Sequence, residues 1–146
     1  MYEYKAKVKK VIDGDTVDCY IDMGFNVGMK VRIRLNGIDT PESRTRDLEE
    51  KRYGLGAKRR VEELLEANDN YFVVLSHGVG KFGRCLGEIF LPGADGQTLV
   101  SLNNRLVLEG HAIPYTGGSK EDEKLNLLEA RKKSKDYVER HIKPLD

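Results

Sequence analysis

The sequence has few cysteines, and this shortage excludes two classes of protein. Only two of its 146 residues are cysteines. Cys19 and Cys85 lie far apart, and neither has a second Cys or His nearby at the spacing of a zinc site. A disulfide framework and a zinc-binding module are therefore excluded, and we expect two free, buried thiols in a reducing compartment.

The chain also lacks an excess of charge of either sign and a long apolar run. Its 25 Lys and Arg residues nearly balance its 24 Asp and Glu residues, so a polyanion would need a local cationic patch. No stretch approaches the roughly 18 apolar residues of a membrane span, and the N-terminal MYEYKAKVKK has no apolar core of an export signal. We expect a cytoplasmic protein of one domain over residues 1–146, with no membrane partner and no obligate protein partner.

Apolar and polar residues alternate in three runs before residue 36. The apolar sides of these runs span Tyr2 to Val8, Val17 to Met23 and Met29 to Leu35. This period of two is that of half-buried strands. Three such strands in succession predict an antiparallel meander with one face in solvent.

Helical and strand-like segments follow one another in the rest of the chain. A charged loop, Ser43 to Arg52, precedes the first predicted helix, and the two later strands should pair through the Gly-rich SHGVGKFGR. The predicted elements are a helix from about Gly54 to Ala67, strands at Tyr71 to Leu75 and Leu86 to Leu91, and helices from about Leu99 to Glu109 and Glu121 to His141. Five strands with a helix between the third and fourth predict an α+β fold, a five-stranded OB-fold β-barrel with three α-helices. An open α+β sandwich is the alternative.

The stretch VIDGDTV places two carboxylates around one glycine between the first two strands. Asp and Gly favour tight turns, so a simple turn explains Asp13 and Asp15 on their own. Two close carboxylates also repel each other unless a cation or hydrogen-bond donors neutralise them. The turn therefore has either a structural or a metal-binding role.

A second group of charged residues follows the third strand. Arg34 lies on its polar face, five residues before Asp39, and Glu42 follows across Thr40-Pro41. If the meander brings the Asp13–Asp15 turn to the same strand end, three carboxylates, a threonine and an arginine share one cleft, which favours a divalent cation or an anionic ligand. Oxygen donors without local His or Cys favour Ca²⁺ or Mg²⁺, and the looser geometry of Ca²⁺ favours it slightly.

A second arginine occurs in GKFGR, after the fourth predicted strand. Arg34 and Arg84 could bind a phosphate with their guanidinium groups and neutralise the charge of a pentacoordinate transition state. Taken singly, each arginine could instead form an exposed ion pair of little energetic value. The carboxylates nearby weaken that interpretation.

Several motifs together resemble the staphylococcal nuclease-like (thermonuclease) family. VIDGDTV, VRIRLNGIDTPES, YG with its helix, GKFGR and LVLEGHA occur in the order, and near the spacing, of that family. The similarity covers about Lys7 to Tyr115 and, more loosely, the last helix. It implies an OB-fold barrel and a Ca²⁺-dependent phosphodiesterase that cleaves DNA and RNA and leaves 3′-phosphates.

The resemblance also implies roles for individual residues. Asp15 and Asp39 match calcium-binding carboxylates, and Thr40 matches a residue that contributes its backbone carbonyl. Glu42 matches the acid that orients or deprotonates the attacking water, while Arg34 and Arg84 match the phosphate-binding pair.

Two further residues are expected to contact substrate, although the family pattern is altered around them. The aspartate and tyrosine common in the family's DKYGR element are Gly80 and Phe82 here, while Lys81 is retained and could meet a terminal phosphate. The substrate-stacking tyrosine should fall near Tyr115.

The sequence thus favours an active calcium-dependent nuclease acting on DNA or RNA. The alternatives are a non-catalytic OB-type module that binds single strands or a protein, and a purely structural calcium domain. All the residues matched to the family's metal and catalytic sites are present, which favours the enzyme: Asp15, Arg34, Asp39, Thr40, Glu42 and Arg84.

Overall fold

The computed structural model describes residues 2–80, 84–115 and 117–145. The first three strands, β1 (Glu3–Asp13), β2 (Thr16–Asp22) and β3 (Gly28–Leu35), form the predicted antiparallel meander. A two-residue strand, β4 (Ile38–Asp39), follows at once.

Two later strands close the meander into a barrel. Strand β5 (Tyr71–Val79) pairs antiparallel with both β1 and β6 (Cys85–Pro92), and β6 returns to pair in parallel with β3. The strand order is therefore β3-β2-β1-β5-β6 with a closing β3–β6 pairing. This confirms the predicted α+β fold, a five-stranded OB-fold barrel with three α-helices.

The barrel core contains the predicted inward side chains of the middle of each strand. Its fully buried aliphatic residues include Val17, Leu35, Leu65, Ile89 and Leu106. Met23 and Met29, also expected to be buried, are 44% and 56% exposed. They lie at the open mouth of the barrel, where the β2–β3 hairpin extends past the core and lines an apolar cavity of about 150 Å³.

Both cysteines are free. Cys19 is buried in the core, and its burial raises the pKa of its thiol to about 12. Cys85, expected to be buried as well, is only half-buried because it begins β6 at the barrel mouth.

The first helix, α1 (Leu48–Glu66), begins six residues before its predicted start. The Asp47 side chain accepts hydrogen bonds from the backbone N–H groups of Glu49 and Glu50, at 3.1 and 3.2 Å. This N-cap satisfies donors that the helix start would leave unpaired. The end of the predicted charged loop is therefore helical.

The later elements also differ from the prediction at their starts. Leu99–Ser101 forms a short strand, β7, paired with β6, so the second helix, α2 (Leu102–Leu108), begins three residues later than predicted. A two-residue strand, β8 (Ile113–Pro114), pairs with β4. The last helix, α3 (Lys120–His141), was predicted to within one residue.

Helix α3 packs through fewer apolar residues than its sequence predicts. Val138 is buried, but Leu125 and Leu128 are 61% and 44% exposed. The glycine at position 56 lets α3 pack closely on α1, since a Cβ on Gly56 would lie 2.8 Å from a methyl group of Val138. Among the described residues, no helix is both long and apolar enough to cross a membrane.

Candidate active site

The turn between β1 and β2 lies beside the end of β3. Thr16, at the start of β2, is the register partner of Arg34. The backbone N–H of Leu35 donates to the carbonyl of Asp15 at 2.8 Å. Asp15 Oδ2 consequently lies 3.5 Å from Nη2 of Arg34. The meander thus brings the turn and the strand end together.

Arg34 holds a central position in this cluster. Its Nη2 donates to Asp39 Oδ1 at 2.9 Å, and its Nη1 donates to the carbonyl oxygen of Leu35 at 2.8 Å. Asp39 is kept at this edge by the β4–β8 pairing, in which it faces Ile113. The arginine side chain is only 15% exposed, so both ion pairs are shielded from solvent.

Small residues let the turn approach α1 and Thr40. A Cβ built on Gly14 would lie 2.8 Å from the Cβ of Ala57 and 3.2 Å from Oγ1 of Thr40. Thr40 is buried, and its Oγ1 has no hydrogen-bond partner among the described residues. A polar oxygen is thus held beside the two acids without a protein donor.

Helix α1 also fixes the backbone that carries Glu42. A Cβ on Gly54 would lie 2.5 Å from the carbonyl oxygen of Glu42 and 2.7 Å from the backbone nitrogen of Ser43. Only glycine allows the helix to approach so closely. The side chain of Glu42 itself is exposed to solvent. Gly54 was not identified as a site residue from the sequence, because the contact joins two separate elements.

The carboxylates of the cluster perturb one another. Partial burial, followed by the negative charges of Asp13, Asp15, Glu50 and Asp39, raises the pKa of Glu42. The higher pKa makes Glu42 a stronger base than an isolated glutamate.

Asp39 is affected by a residue that the sequence did not point to. Burial and then the nearby carboxyl of Glu123 raise the pKa of Asp39 to about 6, against the opposing effect of Arg34. Glu123 lies in the first turn of α3. Because only the packing of α3 brings it to the site, no sequence spacing could have indicated it.

The donor chemistry of the cluster fits a cation that prefers oxygen ligands. Asp15, Asp39 and Thr40 supply only oxygen atoms, and the hydroxyl of Thr40 is left without a protein partner among the described residues. Burial and the Glu123 carboxyl disfavour the charged form of Asp39, an effect that a bound cation would oppose. No group of three or more His, Cys, Asp or Glu side chains in the described parts of the chain is close enough to hold a metal ion. In this structure Arg34 provides the positive charge between the two acids.

Of the other predicted site residues, Arg84 and Tyr115 lie in the described parts of the chain. Arg84 is exposed and directly precedes Cys85, whose register partner is Ile33, the neighbour of Arg34. The Gly80 N–H donates to the Arg84 carbonyl at 2.7 Å, closing the connection between β5 and β6. The predicted substrate contact Lys81 lies outside the described residues.

Tyr115 follows β8, on the edge that carries Asp39. Its backbone N–H donates to the carbonyl of Gly37 at 2.8 Å, and the residue is 62% exposed. The ring is therefore accessible near the β4 edge, as a stacking residue requires.

Fold and site together define an OB-fold barrel with an acid–arginine cluster at one edge, and comparisons with known proteins place it in a family. The family model described as "Staphylococcal nuclease homologue" matches residues 32–138. The chain belongs to this family. The matched range contains Arg34, Asp39, Glu42 and Arg84 but begins after Asp15.

Two curated proteins are similar along most of the chain. A micrococcal nuclease of Shigella flexneri is 30% identical over 116 residues, which are 77% of this chain and 59% of the relative. An uncharacterized protein of Methanocaldococcus jannaschii is 30% identical over an alignment of 152 positions, which covers 90% of this chain and 70% of the relative. The chain thus spans less than two thirds of the Shigella protein's length.

Proposed function

We propose that this protein is a calcium-dependent nuclease, a phosphodiesterase that hydrolyses DNA, RNA or both to 3′-phosphate products. The observation that carries the proposal is the placement of Arg34 between Asp15 and Asp39, at 3.5 and 2.9 Å. Arg34, Asp15 and Asp39 are all largely shielded from solvent, and the loop that carries Glu42 lies beside them. Because removing three ionised groups from water is costly, this arrangement favours binding of a charged ligand over a purely stabilising role. Membership of the nuclease family supports the same function.

The reaction assigns a different task to each side chain. Glu42, whose pKa is raised by its surroundings, accepts a proton from the water that attacks phosphorus. Arg34 and Arg84 donate to the non-bridging phosphate oxygens, where negative charge accumulates in the transition state. The attack is in line: the water oxygen bonds to phosphorus as the P–O5′ bond breaks. Arg84 stabilises the leaving 5′-oxygen, which takes up a proton from solvent, and the phosphate stays on the 3′ side. No covalent enzyme intermediate is needed.

Calcium would be held by the carboxylates of Asp15 and Asp39 and by the backbone carbonyl of Thr40. When bound, such an ion supplies Lewis-acid withdrawal of charge from a phosphate oxygen. The remaining substrate contacts that we propose are Lys81, for a terminal phosphate, and Tyr115, for a base.

The test is hydrolysis of single-stranded DNA and RNA by the purified protein with calcium, with magnesium and with chelator. Glu42→Gln removes the base without changing the side-chain size, and Glu49→Gln, an exposed acid in the first turn of α1, is its control. We expect calcium-dependent cleavage that falls by a factor of about 10² to 10⁴ in Glu42→Gln only. Binding without cleavage under every metal would instead favour the non-catalytic OB-type module.

A further inference from the structure

The outer face of the barrel carries a row of alternating tyrosine and lysine residues across four strands. The register pairs Tyr71 of β5 with Lys7 of β1, Lys7 with Tyr20 of β2, and Tyr20 with Lys30 of β3. Tyr20 and Tyr71 are 47% and 53% exposed, and the Lys7 ammonium lies 5.4 Å from the centre of the Tyr71 ring. Exposed aromatic rings beside cations offer stacking surfaces and positive charge on the same sheet face.

Three members of this row, Tyr71, Lys7 and Tyr20, line an open cleft of about 590 Å³. The cleft is completed by the loop between β2 and β3, which presents Phe25 with its side chain fully in solvent. Phe25 has a φ of +52°, a left-handed conformation that disfavours a bulky aromatic residue. An apolar ring held in solvent on an unfavourable backbone has no evident structural role, whereas it could stack on a ligand that enters the cleft.

Cations continue from the cleft toward the candidate active site. A β-bulge at Lys9 leaves both Lys9 and Lys10 exposed. Lys9 is adjacent to Lys30, and this contact between like charges lowers the pKa of Lys9. Two ammonium groups held together on a surface form a site for an anion such as phosphate.

The acids of the same face do not cancel these cations. Nε and Nη2 of Arg32 donate to the two carboxylate oxygens of Asp18 at 2.7 and 3.1 Å. The carboxylate of Asp22 accepts a hydrogen bond from the N–H of Gly24 at 2.8 Å. Glu3 lies at the far end of β1. The exposed cations of the face are Lys5, Lys7, Lys9, Lys10, Lys30 and Arg32. Asp18 offsets Arg32, and Glu3 and Asp22 offset two of the five lysines, so the face keeps a positive charge that the balanced overall composition hides.

The face is continuous with the candidate active site. Side chains on one face of a strand recur every second residue, so Lys30, Arg32 and Arg34 project from the same side of β3. Tyr20 lies four residues along β2 from Thr16, the partner of Arg34, which corresponds to about 13 Å.

We propose that this face, defined by Lys7, Lys9, Tyr20, Lys30 and Tyr71 and called here the tyrosine–lysine face, binds the single-stranded nucleic acid that extends beyond the cleaved bond. The bases stack on Tyr20 and Tyr71, and the phosphates lie along the lysines. Flat aromatic rings with interleaved cations suit a single strand better than a duplex or an acidic protein, because exposed bases offer a π-face of any sequence. This inference rests on the proposed function for the identity of the ligand.

The experiment measures binding of fluorescent oligothymidylates of about 3 and about 12 nucleotides to the Glu42→Gln protein. The first is shorter than OB-fold sites, which take about 4 to 16 nucleotides, and the second is within their range. Tyr20→Ala and Tyr71→Ala are compared with Tyr2→Ala, an exposed tyrosine outside the cleft. We expect each to weaken binding of the long oligomer by roughly 5- to 100-fold, with no change for the short one or for Tyr2→Ala. Tyr20→Phe should restore binding, since it keeps the ring.

The lysines are tested through the salt dependence of the same binding. The double variant Lys9→Gln/Lys30→Gln should reduce the magnitude of the slope of log K against log salt by about 1 to 2, where K is the association constant of the long oligomer. The double variant Lys132→Gln/Lys135→Gln on α3 should leave the slope unchanged.

Unchanged affinity for the long oligomer in Tyr20→Ala and Tyr71→Ala, or equal binding of long and short oligomers by the parent, would overturn the proposal. The nuclease proposal is tested separately, by hydrolysis. If Tyr20→Ala and Tyr71→Ala weaken binding but the parent does not hydrolyse nucleic acid, only this inference stands. If the parent hydrolyses nucleic acid and the two tyrosine variants bind normally, only the nuclease proposal stands.

Discussion

Arg34 Nη2 donates to Asp39 Oδ1 at 2.9 Å, an ion pair that joins β3 to β4 across the candidate active site. This ion pair connects Arg34, which we propose binds phosphate, with Asp39, which we propose binds calcium. The same guanidinium donates to the Leu35 carbonyl through its other terminal nitrogen. The orientation of Arg34 is therefore set before any substrate binds, as preorganised charge stabilisation requires.

Arg34→Lys should separate geometry from charge at this position. Lysine keeps the positive charge between the acids but has no planar fork to hold Asp39, Leu35 and a phosphate together. We expect turnover to fall by a factor of about 10² to 10³ while the protein stays folded. Steady-state hydrolysis with thermal melting measures both effects, and Arg32→Lys, on the same face of β3, is the matched control. Near-parental turnover would remove the proposed role of Arg34.

Gly54→Ala should damage activity more than its cost in stability explains. A Cβ there meets the backbone of Glu42 and Ser43 at 2.5 to 2.7 Å, so the loop of the candidate base has to move. Gly56→Ala is a close control, because it lies on the same helix but its Cβ meets the Val138 side chain, away from Glu42. Both changes gain about 1 kcal/mol of helix propensity.

Kinetics and denaturant melts of these two variants distinguish positioning from stability. We expect kcat to fall by tenfold or more in Gly54→Ala, since small misplacements of a catalytic group are costly. Gly56→Ala should lower the free energy of unfolding without lowering the kcat of the folded protein. Equal losses of kcat in the two variants would contradict a positioning role for Gly54.

Asp39→Ala should weaken calcium binding. In the parent, calcium at 100 times its dissociation constant should stabilise the fold by about 2.7 kcal/mol, which appears as a higher melting temperature. The variant lacks one proposed ligand and should show a smaller rise at the same calcium concentration. Asp136→Ala, an exposed acid on α3, is the control. A calcium-induced rise as large as the parent's would argue against Asp39 as a ligand.

The order of the strands and helices indicated the barrel, and local spacing indicated that Arg34 and Asp39 lie at one strand end. The alternation of apolar and polar residues placed Arg34 on the polar face of β3. The separation of five residues placed Asp39 just beyond the end of the same strand. The contacts of Gly54 with Glu42 and of Glu123 with Asp39 were not predictable, because each depends on how a helix packs against a distant loop. The early start of α1 could have been found, since Asp47 before two glutamates is an N-terminal helix signal.

His111 predicts how stability depends on pH. The side chain is 3% exposed, packs edge-on against Tyr137 with ring centres 5.0 Å apart, and its Nδ1 lacks a hydrogen-bond partner in the described part of the chain. Burial, with a smaller effect of Arg60 and against the attraction of Glu109, lowers the pKa of His111 to about 4. The native state therefore keeps this histidine neutral at pH values at which the unfolded chain binds a proton.

The direction of the effect follows from these two protonation states. As the pH falls from about 6.5, the unfolded pKa, to about 4, the unfolded state gains a proton that the native state does not, so the free energy of unfolding falls. The loss from this group is at most about 3 kcal/mol and levels off below the native pKa. His111→Phe keeps a ring against Tyr137 but cannot titrate, so its stability should decline less than the parent's across this range. Urea unfolding at several pH values measures the difference, with His77→Phe reporting the effect of removing a histidine from β5. Parallel pH profiles for the parent and His111→Phe would show that His111 already binds its proton in the native state.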